Sequence, residues 1–252
     1  MNLRLLNLCA LACLLTLTSH AAADDAAQAR ALIDKAIKAK GLKPDAPEMA
    51  ESWKDTGKMS AAGMNIDYVA DWTFQPPNKY RFVMEAKLQG QPIKMLVVLN
   101  GTEAWESANG PAQAIADKKL ASMKDEVYSL WVTSLLPLRD PAFKLGLLPE
   151  GQVDGKPVQG VKVSRDGQRD VGLFFDRETG LLAKCDTTVM DEFQNWKEVK
   201  DEAIFSDYKD VNGVKCFMKM KIIRDGKPMI ETIFSDQKRM DKADPKLFEK
   251  PQ

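Results

Sequence analysis

The chain has 252 residues, 36 basic and 36 acidic side chains, four cysteines and a single histidine. Balanced charge supplies no field to draw in nucleic acid or an anionic membrane surface. The one histidine, His20, sits in the opening segment, so the rest of the chain has no imidazole for a nucleophile pair, a metal site or a proton shuttle.

That opening segment has one basic residue, Arg4, then the apolar run "LLNLCALACLLTLT", then "SHAAADD" with Ala21 and Ala23 at small-residue positions. It reads as an export signal over residues 1–23, cleaved after about Ala23. A lipid anchor on Cys13 is the alternative, but the apolar run continues through Leu14, Leu15 and Leu17, where a modified cysteine should end it. No later stretch approaches the ~20 apolar residues of a spanning helix, so no transmembrane segment is expected in the mature chain. Residues 24–252 have the size of one large β domain with a sizeable core.

The mature start, "DDAAQARALIDKAIKAKG", has Leu32, Ile33, Ala36 and Ile37 at helical spacing, acidic residues in its first turn and Gly41 as a stop. A strand is expected over Trp53–Lys58. "MNIDYVADWTF" then alternates, with Met64, Ile66, Tyr68, Ala70, Trp72 and Phe74 on one face, and "YRFVMEAKL" repeats this with Tyr80, Phe82, Met84, Ala86 and Leu88. The pair predicts an antiparallel hairpin with an aromatic face, followed by the strand "IKMLVVLNG". Between Asp117 and Leu138 the period changes: Leu120, Met123, Val127, Leu130, Trp131 and Leu135 recur three or four apart, a second amphipathic helix ended near Pro137.

Strands then return, punctuated by Asp154-Gly155, Asp166-Gly167, "DRETG", Asn212-Gly213 and Asp225-Gly226. Turns so closely spaced leave no room for crossover helices, so the sheet is antiparallel. In "VKCFMKMKII" Val214, Cys216, Met218, Met220 and Ile222 fall on one side, and Lys215, Lys219 and Lys221 on the other with Phe217 and Ile223, a strand with an apolar and a largely basic side. The fold class is therefore mainly β: ten or eleven strands in a large curved antiparallel sheet or incomplete barrel, covered on one side by two amphipathic helices.

Catalytic motifs fail on inspection. Ser206-Asp207-Tyr208-Lys209 and Ser235-Asp236-Gln237-Lys238 match Ser-x-x-Lys, but both are expected at strand ends, where residues three apart face opposite ways, and not on the helix that chemistry needs. "GQVDGKP" is one residue short of a phosphate loop, and Pro157 stands at its magnesium-binding position. Asn100-Gly101-Thr102 fits a glycosylation sequon and equally a hairpin turn. No cofactor, metal or catalytic residue is expected. Cys185 and Cys216, both on expected strands, are read as a bridge, with two free thiols as the alternative.

What remains is a concentration of methionine and aromatic residues on alternating strands: Met64, Tyr68, Trp72, Phe74, Tyr80, Phe82, Met84, Met218 and Met220. They line either a ligand cavity or a solid core beneath the helices, since alternation alone does not separate the two. The ordered phrases "ARALIDKAIKAKG", "PPNKYRF", "VLNGTEAWES", "LFFDRETGLLAK", "FSDYKDVNGVK" and "DPKLFEKP" resemble the periplasmic outer-membrane lipoprotein-sorting proteins, the LolA/LolB-like carriers and their relatives. The resemblance implies an unclosed β-barrel with a helical lid over an apolar cavity, and a non-catalytic carrier of lipid or lipoprotein acyl chains. The alternative is a cell-envelope scaffold that partners envelope proteins, with the same fold and a filled interior.

Overall fold

The computed structural model describes residues 24–43, 45–61 and 63–251, so the expected export signal lies outside the described residues. Helix α1 covers residues 24–39. Ala29, Ile33, Ala36 and Ile37 form its fully buried stripe, close to the expected one. Gly41 ends it at φ 84°, and a Cβ there would sit 2.2 Å from the Gly213 carbonyl oxygen. Only glycine lets the helix end approach that hairpin turn, where Lys215 N–H donates to Lys40 O at 2.8 Å.

Thirteen strands follow. The first six are β1 (Ala50–Ala61), β2 (Met64–Gln75), β3 (Lys79–Leu88), β4 (Gln91–Asn100), β5 (Glu103–Ala108) and β6 (Gln113–Ile115). After helix α2 (Asp117–Thr133) come β7 (Lys144–Val153), β8 (Lys156–Ser164), β9 (Val171–Asp176), β10 (Leu182–Asp191), β11 (Lys197–Val211), β12 (Val214–Arg224) and β13 (Lys227–Met240). They make one antiparallel sheet in the order β6-β5-β4-β3-β2-β1-β13-β12-β11-β10-β9-β8-β7. The two meanders join where β1 pairs with β13, and β6 and β7 stay unpaired with each other, so the barrel is not closed. Helix α2 is the connection between those free edges. With the short 3-10 turn Leu136–Arg139 it spans the concave face, packing on Phe74 and Leu99 on one side and meeting β9 and β10 on the other.

The expected β2–β3 hairpin is present, with Trp72 opposite Phe82 and Phe74 opposite Tyr80. Asp154, Asn212 and Asp225 take positive φ ahead of their glycines, as two-residue hairpin turns require. Several expectations need correction. Among the described residues the strands number thirteen, more than the ten or eleven expected: β6 is only three residues long, and β7 hides behind Gly146, Pro149 and Gly151. Both Ser-x-x-Lys segments lie inside strands β11 and β13 and not at their ends; Asp207 and Asp236 hold φ near 56° and 48°, in local irregularities. Cys185 and Cys216 are free thiols. Cys185 pairs with Ala203 and Cys216 with Lys209 on β11, six residues apart and thus roughly 20 Å along the strand, beyond any disulfide.

The largest core lies between α1, the end of α2, residues 135–143 and the inner face of β7–β12, with Ile33, Val132, Leu138, Phe143 and Leu173 at its centre. On the outer face a smaller cluster seats Phe248 of the C-terminal tail against Ala50 and Val98.

Candidate functional site

The register of β13, β1, β2, β3 and β4 fixes the inner face as a series of cross-strand rows. From one end to the other these run Ile230–Met59–Ile66, then Thr232–Gly57–Tyr68–Ala86–Ile93, then Phe234–Asp55–Ala70–Met84–Met95, then Trp53–Trp72–Phe82–Val97. A last row, Phe74–Tyr80–Leu99–Ala104, continues to Ile115. Helix α2 lies on that last row: Met123 and Val127 pack with Phe74, Leu99 and Ala104. The other rows form a cluster drawn from strands alone, in which Met59, Trp72, Phe82, Ala86, Met95 and Ile230 are only half-buried around Tyr68, Ala70 and Met84. The concave face is therefore sealed under α2 and becomes an open apolar shelf towards the β1–β2 turn.

Aromatic contacts stiffen the shelf. Trp72 stacks on Trp53 with ring centroids 5.9 Å apart and meets Phe82 at 4.3 Å and Tyr80 at 5.6 Å. Tyr68 lies over Gly57, where an added Cβ would fall 2.8 Å from the phenol oxygen. Lacking a side chain, Gly57 lets the ring fold back across β1.

That ring delivers its hydroxyl to Asp55, a buried carboxylate set in the rows. Asp55 Oδ2 accepts from Tyr68 OH at 3.2 Å and from Thr232 Oγ1 at 2.5 Å; Oδ1 accepts from Trp72 Nε1 at 2.7 Å. The donors come from β2 and β13, so the carboxylate staples the strands on both sides of the seam where the two meanders meet. Burial pushes the Asp55 carboxyl up from its ordinary value, against the pull of hydrogen bonds from Thr232, Trp72 and Tyr68. The Tyr68 phenol is likewise raised, first by burial and then by the Asp55 charge.

A second polar group closes the shelf on the α2 side. Arg224 on β12 donates to both oxygens of Asp201 at 2.8 and 2.7 Å and lies 3.5 Å from Asp191. Glu126 of α2, an exposed residue, lies within reach of the charges of this group. The surrounding protein raises its pKa to about 7; Arg224 opposes that rise, while Asp201 and Asp125 add to it. Burial, then the charges of Glu126 and Asp55, raise the Tyr80 phenol.

The structure gathers Tyr68, Trp72, Phe74, Tyr80, Phe82 and Met84 on one face, as the hairpin pattern implied. Met220 lies opposite Thr232 and packs against the large core and Met64 is half-buried near the β1–β2 turn; contrary to the expected alternation, Phe217 packs on the large core against Phe205 and Phe234, while Met218 is half-buried outside every cluster. Asp55, Thr232, Glu126 and Arg224 were not singled out in the sequence. The available signal was Asp55 itself, an acid in step with Trp53 and Met59. Arg30 of α1 was also passed over; it donates to the carbonyl of Leu138 and, at 3.5 Å, to that of Phe143, tying α1 to the segment after α2. Between the helices and the sheet, near Leu42, Met49, Phe74 and Leu136, the free space is about 10 Å³, room for one water at most. Among the described residues no cluster of His, Cys, Asp and Glu could hold a metal, and no helix is long and apolar enough to cross a membrane.

Neither a protein-family model nor a curated protein sequence matches the chain. Solved structures do. A LolA superfamily protein from Nitrosomonas europaea aligns with a TM-score of 0.58 at 10% identity, covering 88% of this chain and 97% of its own. The chain has the LolA-type fold. A DUF1329 family protein from Desulfovibrio piger aligns at TM-score 0.55 and 14% identity, over 88% and 97% of the two chains. A putative outer membrane lipoprotein-sorting protein domain from Vibrio parahaemolyticus aligns at 0.53 and 10%, over 86% and 96%. At such identities the LolA-type likeness is one of architecture, and ligand and partner have to be argued from the site.

Proposed function

We propose that the chain, exported and cleaved after about Ala23, is a non-catalytic periplasmic carrier that binds lipid or acyl-chain ligands, lipoprotein acyl chains among them, with residues 24–252 acting as one unit. The supporting observation is the apolar shelf of Met59, Trp72, Phe82, Met95 and Ile230, half-buried around the buried Met84 and built from strands alone. An alkyl chain laid along it gains about 0.8 kcal/mol per buried CH₂, with no reacting group required. Methionine at three of these positions suits chains of varied shape.

The about 10 Å³ gap beneath the helices favours a second reading, an envelope interaction module with a filled interior. Titration with a fluorescent fatty acid separates the two. The carrier reading expects saturable binding that Phe82→Asp weakens at least tenfold while the circular dichroism spectrum is kept. Absence of binding by the folded wild type supports the module and overturns the carrier.

A further inference from the structure

The outer face of the same strands holds a groove of about 380 Å³ whose walls include Ser52, Thr73, Arg81 and Lys238, and which also touches Trp53 and Trp72. Its middle is a single cross-strand row: Lys238 on β13 opposite Ser52 on β1, then Thr73 on β2, then Arg81 on β3. The row ends at Val98, which is covered by Phe248 of the C-terminal tail. At 4.7–4.9 Å per strand, Lys238 and Arg81 are about 14 Å apart at Cα. Their long side chains flank two hydroxyls, and Thr73 is itself buried.

The charges of the groove sort into two kinds. Lys54 sits 3.7 Å from Asp71 and Lys94 2.8 Å from Glu85, so those four neutralise one another. Arg81 and Lys238 have no carboxylate within 4.0 Å among the described residues, and Asp236 is the only other acid in the lining. Two cations with no carboxylate within 4.0 Å, one of them a planar guanidinium, stand at the two ends of a row of hydroxyl groups that both donate and accept, against the single unpaired acid Asp236. That is the donor set of a phosphate or phosphate-ester site. We propose that this outer groove binds a phosphate-bearing small molecule or headgroup, with Arg81 and Lys238 as the charged contacts and Ser52 and Thr73 as the hydroxyl contacts. The charged row and the apolar shelf lie on opposite faces of the sheet, and Trp53 and Trp72 border both.

The test uses the mature chain and three probes: inorganic phosphate, glycerol 1-phosphate, and vesicles of phosphatidylglycerol set against vesicles of phosphatidylcholine. Amide chemical shifts and calorimetry report binding. The expected result is saturable binding of the phosphate monoesters or of the anionic vesicles, with shifts at Ser52, Thr73 and Arg81. Binding of glycerol 1-phosphate identifies a soluble ligand, and binding of anionic vesicles alone identifies a lipid headgroup. The Arg81→Gln/Lys238→Gln double variant is expected to lose at least tenfold in affinity with an unchanged melting temperature. Lys58→Gln removes a cation from the same face outside the groove and is expected to bind as wild type. No saturable binding of any probe, or equal losses in the double variant and Lys58→Gln, overturns the proposal.

Discussion

Thr232→Val removes one hydroxyl from the seam and leaves the side chain's shape intact, so it isolates what the Asp55 staple contributes. The bond lost is a buried, charge-assisted one across 177 residues of sequence, with Thr232 3% and Asp55 2% exposed. Hydrogen bonds to charged groups are worth about 1.5–3 kcal/mol, and Asp55 keeps two other donors, so a loss of about 2 kcal/mol is expected. Tyr68→Phe keeps the ring over Gly57 and gives up a longer, 3.2 Å bond, for which about 1 kcal/mol is expected. Both donors share Oδ2, so the double variant should lose less than the sum. Urea unfolding followed by tryptophan fluorescence reads these as midpoint shifts at constant slope. The pH dependence supplies a further check. Because burial raises the Asp55 carboxyl in the folded state, that state holds the proton more tightly. The contribution is full below the unfolded value and is lost as pH rises through the folded one. Asp55→Asn should remove that part of the slope. A Thr232→Val variant within about 0.5 kcal/mol of wild type, or a Tyr68→Phe variant that loses more, would refute the staple.

Three more outcomes follow from the packing and the charges. Glu126, raised to about 7 mainly by its surroundings, holds its proton in the folded state where the unfolded chain has released it, so wild-type stability should fall between about pH 4.5 and 7. Glu126→Gln should lack that fall in urea midpoints measured across the same range; parallel curves count against it. Cys185 is buried with its thiol pushed up to about 12, so it should resist alkylation in the native protein. Both Cys185 and Cys216 should alkylate in denaturant without reductant, a gain mass spectrometry reads directly, and failure to do so would mean that they are bonded. Ile33→Ala empties the contact of α1 with the large core and should cost about 2–5 kcal/mol, read as a lowered urea midpoint. A change under about 1 kcal/mol would show that α1 is not seated there.

How much of this could be read in the sequence depends on the range of the forces involved. The β2–β3 hairpin and the stripes of α1 and α2 were legible because period and turn chemistry are local: Trp72 and Phe82 alternate with polar residues whether or not the sheet exists. Strand β7 was not, because its two glycines and Pro149 mimic a loop, and an edge strand tolerates them since one side has no partner to satisfy. The irregularities at Asp207 and Asp236 were hidden for a similar reason, as an aspartate at positive φ leaves no mark in residue type. The pairing of β1 with β13 joins segments about 180 positions apart, and no window of sequence carries that information. The site divided along the same line. Its apolar face followed from alternation, whereas Asp55 gains meaning only when Thr232 is brought beside it, and Glu126 only when α2 crosses the concave face towards Arg224.

Photolabelling with a diazirine-bearing fatty acid, followed by peptide mapping, tests the carrier account most directly. The account predicts label concentrated on the inner-face residues Met59, Trp72, Phe82 and Met95, competed away by unlabelled fatty acid. Label scattered over the surface, or none on those strands while the protein remains folded, would contradict it.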